Sequence, residues 1–157
     1  MNDAALALAA RIVLAIVLFV SATAKFRSRD AVRRQLAVLV NEQSAPALAS
    51  LLPLAELVVG WALVGFWNAV PGIVAAVLLA AFTVVLVRAQ ARHVPCLCFG
   101  ASATETPPGP AAIVRNGVLM ALAVLAIGRP AGAAPGETLV AGAVFGVVAA
   151  IAVRASR

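Results

Sequence analysis

The sequence predicts an all-α membrane protein, a polytopic helical bundle with a four-helix core, a fifth span and a short interfacial amphipathic helix. Of its 157 residues, 64% are hydrophobic and 11% are charged, and a water-soluble domain of this size cannot solvate so much apolar surface. Because only helices and closed barrels satisfy their backbone hydrogen bonds in hydrocarbon, the long uninterrupted apolar runs favour helices. We expect residues 1–157 to form one integral membrane domain.

The first span is predicted at about residues 4–24, directly before Lys25. Arg11 interrupts this run, close enough to one end for its side chain to snorkel toward the headgroups. The absence of any cation before Arg11 argues against a cleaved signal peptide, so we expect the segment to remain as a span. Residues of about 28–40 mix cations with apolar side chains at helical spacing, which predicts a short amphipathic helix in the membrane interface.

The remaining spans are predicted at about residues 47–67, 71–87, 111–127 and 137–153. The second span contains Pro53 and Glu56, which are both unusual in hydrocarbon. A loop at residues 93–110 separates the third span from the fourth. It holds both cysteines and, after them, a polar stretch rich in Pro and Thr. The fourth span carries Arg115 and Asn116 in its first turns.

Five spans place most of the cations on one membrane face, which also carries the cysteines. Those cations are Lys25, Arg27, Arg29, Arg33, Arg34, Arg88, Arg92, Arg115, Arg154 and Arg157, against Arg11 and Arg129 on the other face. The positive-inside rule makes the cysteine face cytoplasmic. The composition, rich in arginine, alanine and valine, indicates a GC-rich bacterial genome, and we expect the protein in the inner membrane of a bacterium. The formal charge of +6 is dispersed over helix ends without a nucleic-acid motif, which argues against nucleic-acid binding.

Cys96 and Cys98 are the only cysteines in the chain. Side chains two residues apart on a helix point about 200° from each other, so both thiols reach one place only where the helix has ended; Pro95 and Gly100 predict such an end. A pair this close can form a strained disulfide suited to exchange, while its short loop would stabilise the fold little. Cations lower the pKa of a cysteine, and the candidate stabilisers of a thiolate are Lys25, Arg92, His93 and Arg115.

Other interpretations of these residues remain open. Cys96, Cys98 and His93 could bind Cu(I) or Zn(II), as in a carrier or binding protein for a soft metal or a small sulfur compound. The thiols could also be incidental in a scaffolding protein. Glu56 is a functional candidate with Lys25 or Arg115 as its counter-charge, or a residue that serves helix packing.

Three segments of the chain resemble the MauE family of methylamine-utilisation proteins, within the wider DoxX-like group of small membrane proteins. The most specific is CLCFG at residues 96–100, followed by Arg115 and Asn116 at the start of the next span. Residues 21–26, ending in Lys-Phe, and residues 53–60, PLAELVVG, are similar to the first-span and second-span motifs of the same group.

The resemblance implies a membrane thiol-disulfide oxidoreductase that works with a thioredoxin-like partner in disulfide formation or maturation of exported proteins. It assigns Cys96 and Cys98 as the redox pair, with Glu56, Lys25, Arg115 and Asn116 around it. A membrane quinone is the cofactor suggested by DoxX-like proteins and by the four-helix vitamin K epoxide reductases. A partner in the exported space would need the cysteines outside, whereas the charge count puts them inside.

Overall fold

The computed structural model describes residues 3–94 and 109–128, and these form five helices without a strand among them. The helices are α1 (Asp3–Arg27), α2 (Arg29–Leu39), α3 (Ala45–Gly65), α4 (Val70–Ala91) and α5 (Pro110–Ala126). By length and composition α1, α3 and α4 can each cross a membrane, and α5 is an apolar helix of 17 residues. The predicted fold class, an all-α membrane bundle, is confirmed for this part of the chain.

The helix bounds differ from the predicted spans chiefly at the charged ends. The third span was expected to stop at about residue 87, whereas α4 continues to Ala91. A cation such as Arg88 ends the stretch of apolar residues that can lie in hydrocarbon, but it does not end the helix, because intrahelical hydrogen bonds also form outside the bilayer. The predicted fifth span at 137–153, most of the predicted loop at 93–110 and both cysteines lie outside the described residues and stay predictions.

The four long helices pack as antiparallel neighbours around a shared core. Helix α1 lies against α3 and α5, and α4 lies against α5 and α3. The core between them is aliphatic with two phenylalanines, and its most deeply buried members include Leu14, Leu18, Leu63, Leu79, Phe82 and Ala123. Large apolar side chains such as Val58, Val77 and Val114 are exposed on the outside of the bundle, as is expected of a protein surrounded by lipid.

Two glycines lie where an added Cβ atom would clash with a neighbouring helix. A Cβ atom built on Gly72 of α4 would lie 2.8 Å from the backbone nitrogen of Ile127, at the end of α5. A Cβ atom on Gly60 of α3 would lie 2.8 Å from the Phe19 ring of α1. Small residues at such crossings allow close packing where lipid supplies no hydrophobic drive for helix association.

Helix α2 is amphipathic, as predicted for about residues 28–40. Val32 and Leu36 are buried against the first turns of α3, whereas Arg33 and Arg34 are exposed. The end of α4 is tied to this helix, because Nη1 of Arg92 donates a hydrogen bond of 2.6 Å to the carbonyl oxygen of Val38. A cation near the carboxyl end of a helix is a favourable arrangement.

The expectation that Arg11 snorkels to the headgroups is wrong. Its side chain is 1% exposed and donates hydrogen bonds to the carbonyl oxygens of Ala126 (3.0 Å), Phe66 (2.7 Å) and Asn68 (2.6 Å). The guanidinium also lies 6.0 Å from the centre of the Trp67 ring. Helices end with carbonyl groups that lack an intrahelical donor, and the five N–H groups of arginine can serve several of them at once.

Candidate functional site

A buried ion pair joins α1 and α3 on the side of the bundle where α4 ends. Nζ of Lys25 lies 2.6 Å from Oε1 of Glu56, and the two side chains are 2% and 0% exposed. Ser21 completes the group: its hydroxyl donates to the same carboxylate oxygen at 3.0 Å and accepts a hydrogen bond from Lys25. We call Ser21, Lys25 and Glu56 the polar cluster.

The local sequence explains how the polar cluster forms. Ser21 and Lys25 are four residues apart on α1, so their side chains share one face of the helix. Glu56 lies one turn after Pro53, which has no backbone N–H to donate within α3. The ammonium and the carboxylate carry opposite formal charges, so the cluster places a strongly polar but neutral group in the core of the membrane bundle.

A second buried polar contact joins α4 and α5. Nδ2 of Asn116 donates to the carbonyl oxygen of Leu79 at 3.0 Å and to Oγ1 of Thr83 at 2.6 Å. Asn116 is fully buried. Interhelical amide hydrogen bonds of this kind hold helices together where water is absent.

Two buried acceptor atoms have no hydrogen-bond donor among residues 3–94 and 109–128. They are Oε2 of Glu56 and Oδ1 of Asn116. A buried oxygen atom without a donor costs free energy, so each marks a position where a bound water molecule or another donor would be favourable. Both atoms belong to residues that the sequence singled out for the site.

A cavity of about 230 Å³ lies between α1, α2, α3 and α4 beside the polar cluster. Its lining is apolar apart from Lys25 and Gln35; the other lining residues are Val32, Leu36, Val40, Leu48, Leu52, Ala81, Phe82 and Val85. Nζ of Lys25 also lies 5.1 Å from the centre of the Phe82 ring. We call this space the α2 cavity, because α2 covers it.

The structure brings some of the predicted site residues together and separates others. Of the two counter-charges considered for Glu56, it is Lys25 that forms the ion pair. Arg115 is exposed although its neighbour Asn116 is buried. His93 is exposed and ends α4 with a left-handed backbone, at a φ of 52°.

Cys96 and Cys98 lie outside the described residues, so the redox role assigned to them stays a prediction. The soft-metal alternative needs the same two thiols and is likewise untested. Within the two described stretches, no group of three or more His, Cys, Asp and Glu side chains is placed to hold a metal ion.

Three contributors to the buried polar network were not predicted as site residues. Ser21 could have been found from its spacing of four residues before Lys25. The contribution of Thr83 has no sequence signal, because a threonine in a span is common and its partner Asn116 is 33 residues away. Phe82 also has no sequence signal, because a phenylalanine in a span is an ordinary core residue. Only the packing of α4 shows that its ring lies beside the ammonium of Lys25.

Comparison with known proteins identifies one family. The family model described as Methylamine utilisation protein MauE matches residues 3–129, and this match confirms the resemblance inferred from the three motifs. The matched region contains the polar cluster, the cysteine pair and Asn116, and it ends before the fifth predicted span. No curated protein and no solved structure gives a significant match.

Proposed function

We propose that this chain, which belongs to the MauE family, is a membrane thiol-disulfide oxidoreductase whose redox pair is Cys96 and Cys98. The observation that carries the proposal is the buried polar cluster. An ion pair inside a membrane bundle is costly to build and marks function more often than stability. The polar cluster lies toward the membrane face at which α4 ends. The last residue of α4 is Ala91, and the first cysteine follows five residues later in the sequence.

The proposed reaction is exchange with a thioredoxin-like protein. A thiolate of the reduced partner attacks the Cys96–Cys98 disulfide and forms a mixed disulfide, which the second thiol of the partner resolves. The partner leaves as a disulfide, and the two cysteines of this chain keep two electrons and two protons as a dithiol. The net result is disulfide formation in the partner. With the cysteines on the cytoplasmic face that partner is a cytoplasmic thioredoxin-like protein, and the maturation of exported proteins then needs a further step that passes electrons across the membrane.

The residues around the cysteines have distinct proposed roles. The exposed Arg115 supplies positive charge that stabilises a thiolate, whereas the charge of Lys25 is balanced by Glu56. Glu56 has a free acceptor oxygen among the described residues and is the group proposed to take up and pass on protons. Asn116 is a positioning residue, because its bonds hold α5, and with it Arg115, against α4.

The charge distribution supports a bacterial inner-membrane location with the cysteines on the cytoplasmic face. The face at which α4 ends carries exposed cations, namely Arg27, Arg29, Arg33, Arg34, Arg88, Arg92 and Arg115. Arg11 is the cation of the other face within the described residues. This asymmetry supports the proposed orientation through the positive-inside rule.

Alkylation of thiols followed by mass measurement tests the proposal. We expect the mildly oxidised protein to add no alkyl group and the reduced protein to add two. A thioredoxin-like trap with its resolving Cys replaced by Ser should form a mixed disulfide with the wild-type chain and none with the Cys96→Ser/Cys98→Ser variant. Thiols that stay reduced under mild oxidant and never enter a mixed disulfide would refute the proposal.

The metal content of the purified protein tests the carrier alternative. Stoichiometric copper or zinc that is lost in the Cys98→Ser variant would favour that alternative.

A further inference from the structure

A second pocket lies on the exposed side of α2, away from the α2 cavity. Its volume is about 310 Å³, which is at the lower end of the roughly 300–1,000 Å³ of small-molecule sites. The pocket therefore has room for one small ligand group. We call it the outer pocket, and it is lined by Asp30, Arg33, Arg34, Ala37, Glu42 and Ala45.

The outer pocket carries both signs of charge in equal number. Two arginines and two carboxylates line it, and all four side chains are exposed. Asp30 lies three and four residues before Arg33 and Arg34, which is the spacing at which ion pairs form along a helix. In the described part of the chain, however, these four side chains form neither an ion pair nor a hydrogen bond. A ligand that itself carries both signs of charge would satisfy them together.

The turn between α2 and α3 brings the second carboxylate to the pocket. Oδ1 of Asn41 accepts hydrogen bonds from the backbone N–H and the hydroxyl of Ser44, at 2.7 and 2.6 Å. Glu42 lies within this turn and Ala45 begins α3, and both line the outer pocket together with residues of α2. A ligand bound there contacts α2 and the start of α3 at once.

The outer pocket lies at the level of the phospholipid headgroups. Helices α1 and α3 can each cross a membrane, and α2 joins the end of α1 at Arg27 to the start of α3 at Ala45. An amphipathic helix in such a position lies in the membrane interface. The zwitterionic headgroup of phosphatidylethanolamine joins a phosphate to a primary ammonium, and it is thus a group of matching charge at this level.

We propose that the outer pocket binds the headgroup of phosphatidylethanolamine, with the phosphate at Arg33 and Arg34 and the ammonium at Asp30 and Glu42. Guanidinium groups match the geometry of phosphate oxygens, and a primary ammonium donates hydrogen bonds to carboxylates. The quaternary ammonium of phosphatidylcholine has no N–H to donate, and phosphatidylglycerol has no cation. Both of these lipids therefore leave the two carboxylates without a partner. The inference is independent of thiol chemistry and goes beyond the proposed function.

Native mass spectrometry of the protein in detergent tests the inference, because it resolves individual bound lipid molecules. The chain is titrated with dioleoyl phosphatidylethanolamine, dioleoyl phosphatidylcholine and dioleoyl phosphatidylglycerol, which share their acyl chains and differ in the headgroup alone. We expect phosphatidylethanolamine to bind with a dissociation constant about threefold lower or better than either of the others, the effect expected of exposed charged contacts. Equal affinities for phosphatidylethanolamine and phosphatidylcholine would overturn the inference. So would tighter binding of phosphatidylglycerol, which would indicate that the cations of this face attract anionic lipid without the carboxylates.

Paired substitutions test each half of the outer pocket. Asp30→Asn/Glu42→Gln removes the carboxylates and should abolish the preference for phosphatidylethanolamine over phosphatidylcholine, whereas Arg33→Gln/Arg34→Gln should weaken the binding of both lipids about threefold. All four side chains are exposed, so the variants should fold, and an unchanged Tm verifies this. Arg88→Gln is the control, because Arg88 is an exposed cation that does not line the pocket, and it should leave both affinities unchanged. A preference that survives the loss of both carboxylates would overturn the inference.

Soluble phosphoethanolamine, the headgroup without glycerol and acyl chains, distinguishes a lipid site from a site for a small solute. We expect an equal concentration of it to leave the lipid bound, because it lacks the apolar chains that the lipid keeps in the micelle. Displacement at equal concentration would overturn the assignment to a lipid. The Cys96→Ser/Cys98→Ser variant should show the same lipid preference as the wild-type chain, so failure of the inference and failure of the proposed function are seen in separate measurements.

Discussion

Replacing the members of the buried ion pair singly and together gives the sharpest test of the polar cluster. Lys25 and Glu56 are 2% and 0% exposed and 2.6 Å apart, so either single substitution to Leu leaves a charge buried without its partner. Removing one partner of a buried pair costs about 3–5 kcal/mol, whereas replacing both with apolar residues of similar size is close to neutral. We therefore expect each single variant to lose about 3–5 kcal/mol of unfolding free energy and the double variant to lose less than about 1 kcal/mol.

The assay is reversible unfolding in mixed micelles with increasing denaturing detergent, which yields the unfolding free energy of each of the four proteins. The Glu42→Leu variant serves as the control, because Glu42 is an exposed carboxylate outside the cluster, and its effect should stay within about 0.5 kcal/mol. If the double variant loses as much as the two single variants combined, the charges do not compensate each other. The ion-pair reasoning would then be wrong.

Three further predictions concern the contacts that hold the helices together. The Arg11→Met substitution removes three hydrogen bonds to backbone carbonyls and should cost on the order of 3 kcal/mol, measured in the same unfolding assay; an unchanged free energy would contradict the burial of Arg11. The Gly72→Ala substitution places a Cβ atom 2.8 Å from a backbone nitrogen and should lower Tm, whereas Gly117→Ala, which meets nothing within 4 Å, should be neutral or raise Tm. The Asn116→Asp substitution keeps the shape but removes both donated bonds, so Tm should fall by more than in Asn116→Leu; the reverse order would refute the assigned bonds.

The sequence predicts that Glu56 has a positively charged partner but does not identify it. A carboxylate in hydrocarbon requires a counter-charge, and the chain offers two candidates near the same face, Lys25 and Arg115. The choice depends on how α1 and α5 are rotated about their axes, because neighbouring residues on a helix point about 100° apart. Packing buries Lys25 and Asn116 and leaves Arg115 exposed.

The burial of Arg11 shows why local reasoning fails at this position. Judged along α1 alone, a cation two turns into the helix is close enough to the headgroups to snorkel. Its actual acceptors lie 55, 57 and 115 residues away in sequence, and they become available only where α3 and α5 end. The α2 cavity is similar in kind, since its lining combines single residues from four helices, and no periodicity in any one of them indicates it.

The acceptors of Arg11 also constrain the order in which the protein can be assembled. Helix α1 is synthesised first, yet the carbonyl groups of Phe66 and Ala126 follow only after α3 and α5 have been made. Until then the growing chain carries the guanidinium of Arg11 in its first helix without the hydrogen-bond acceptors of the finished fold. Lys25 likewise has no ion-pair partner until Glu56 of α3 has been synthesised. A nascent chain that stops before residue 126 therefore lacks one of the three carbonyl groups that accept hydrogen bonds from Arg11 in the finished fold.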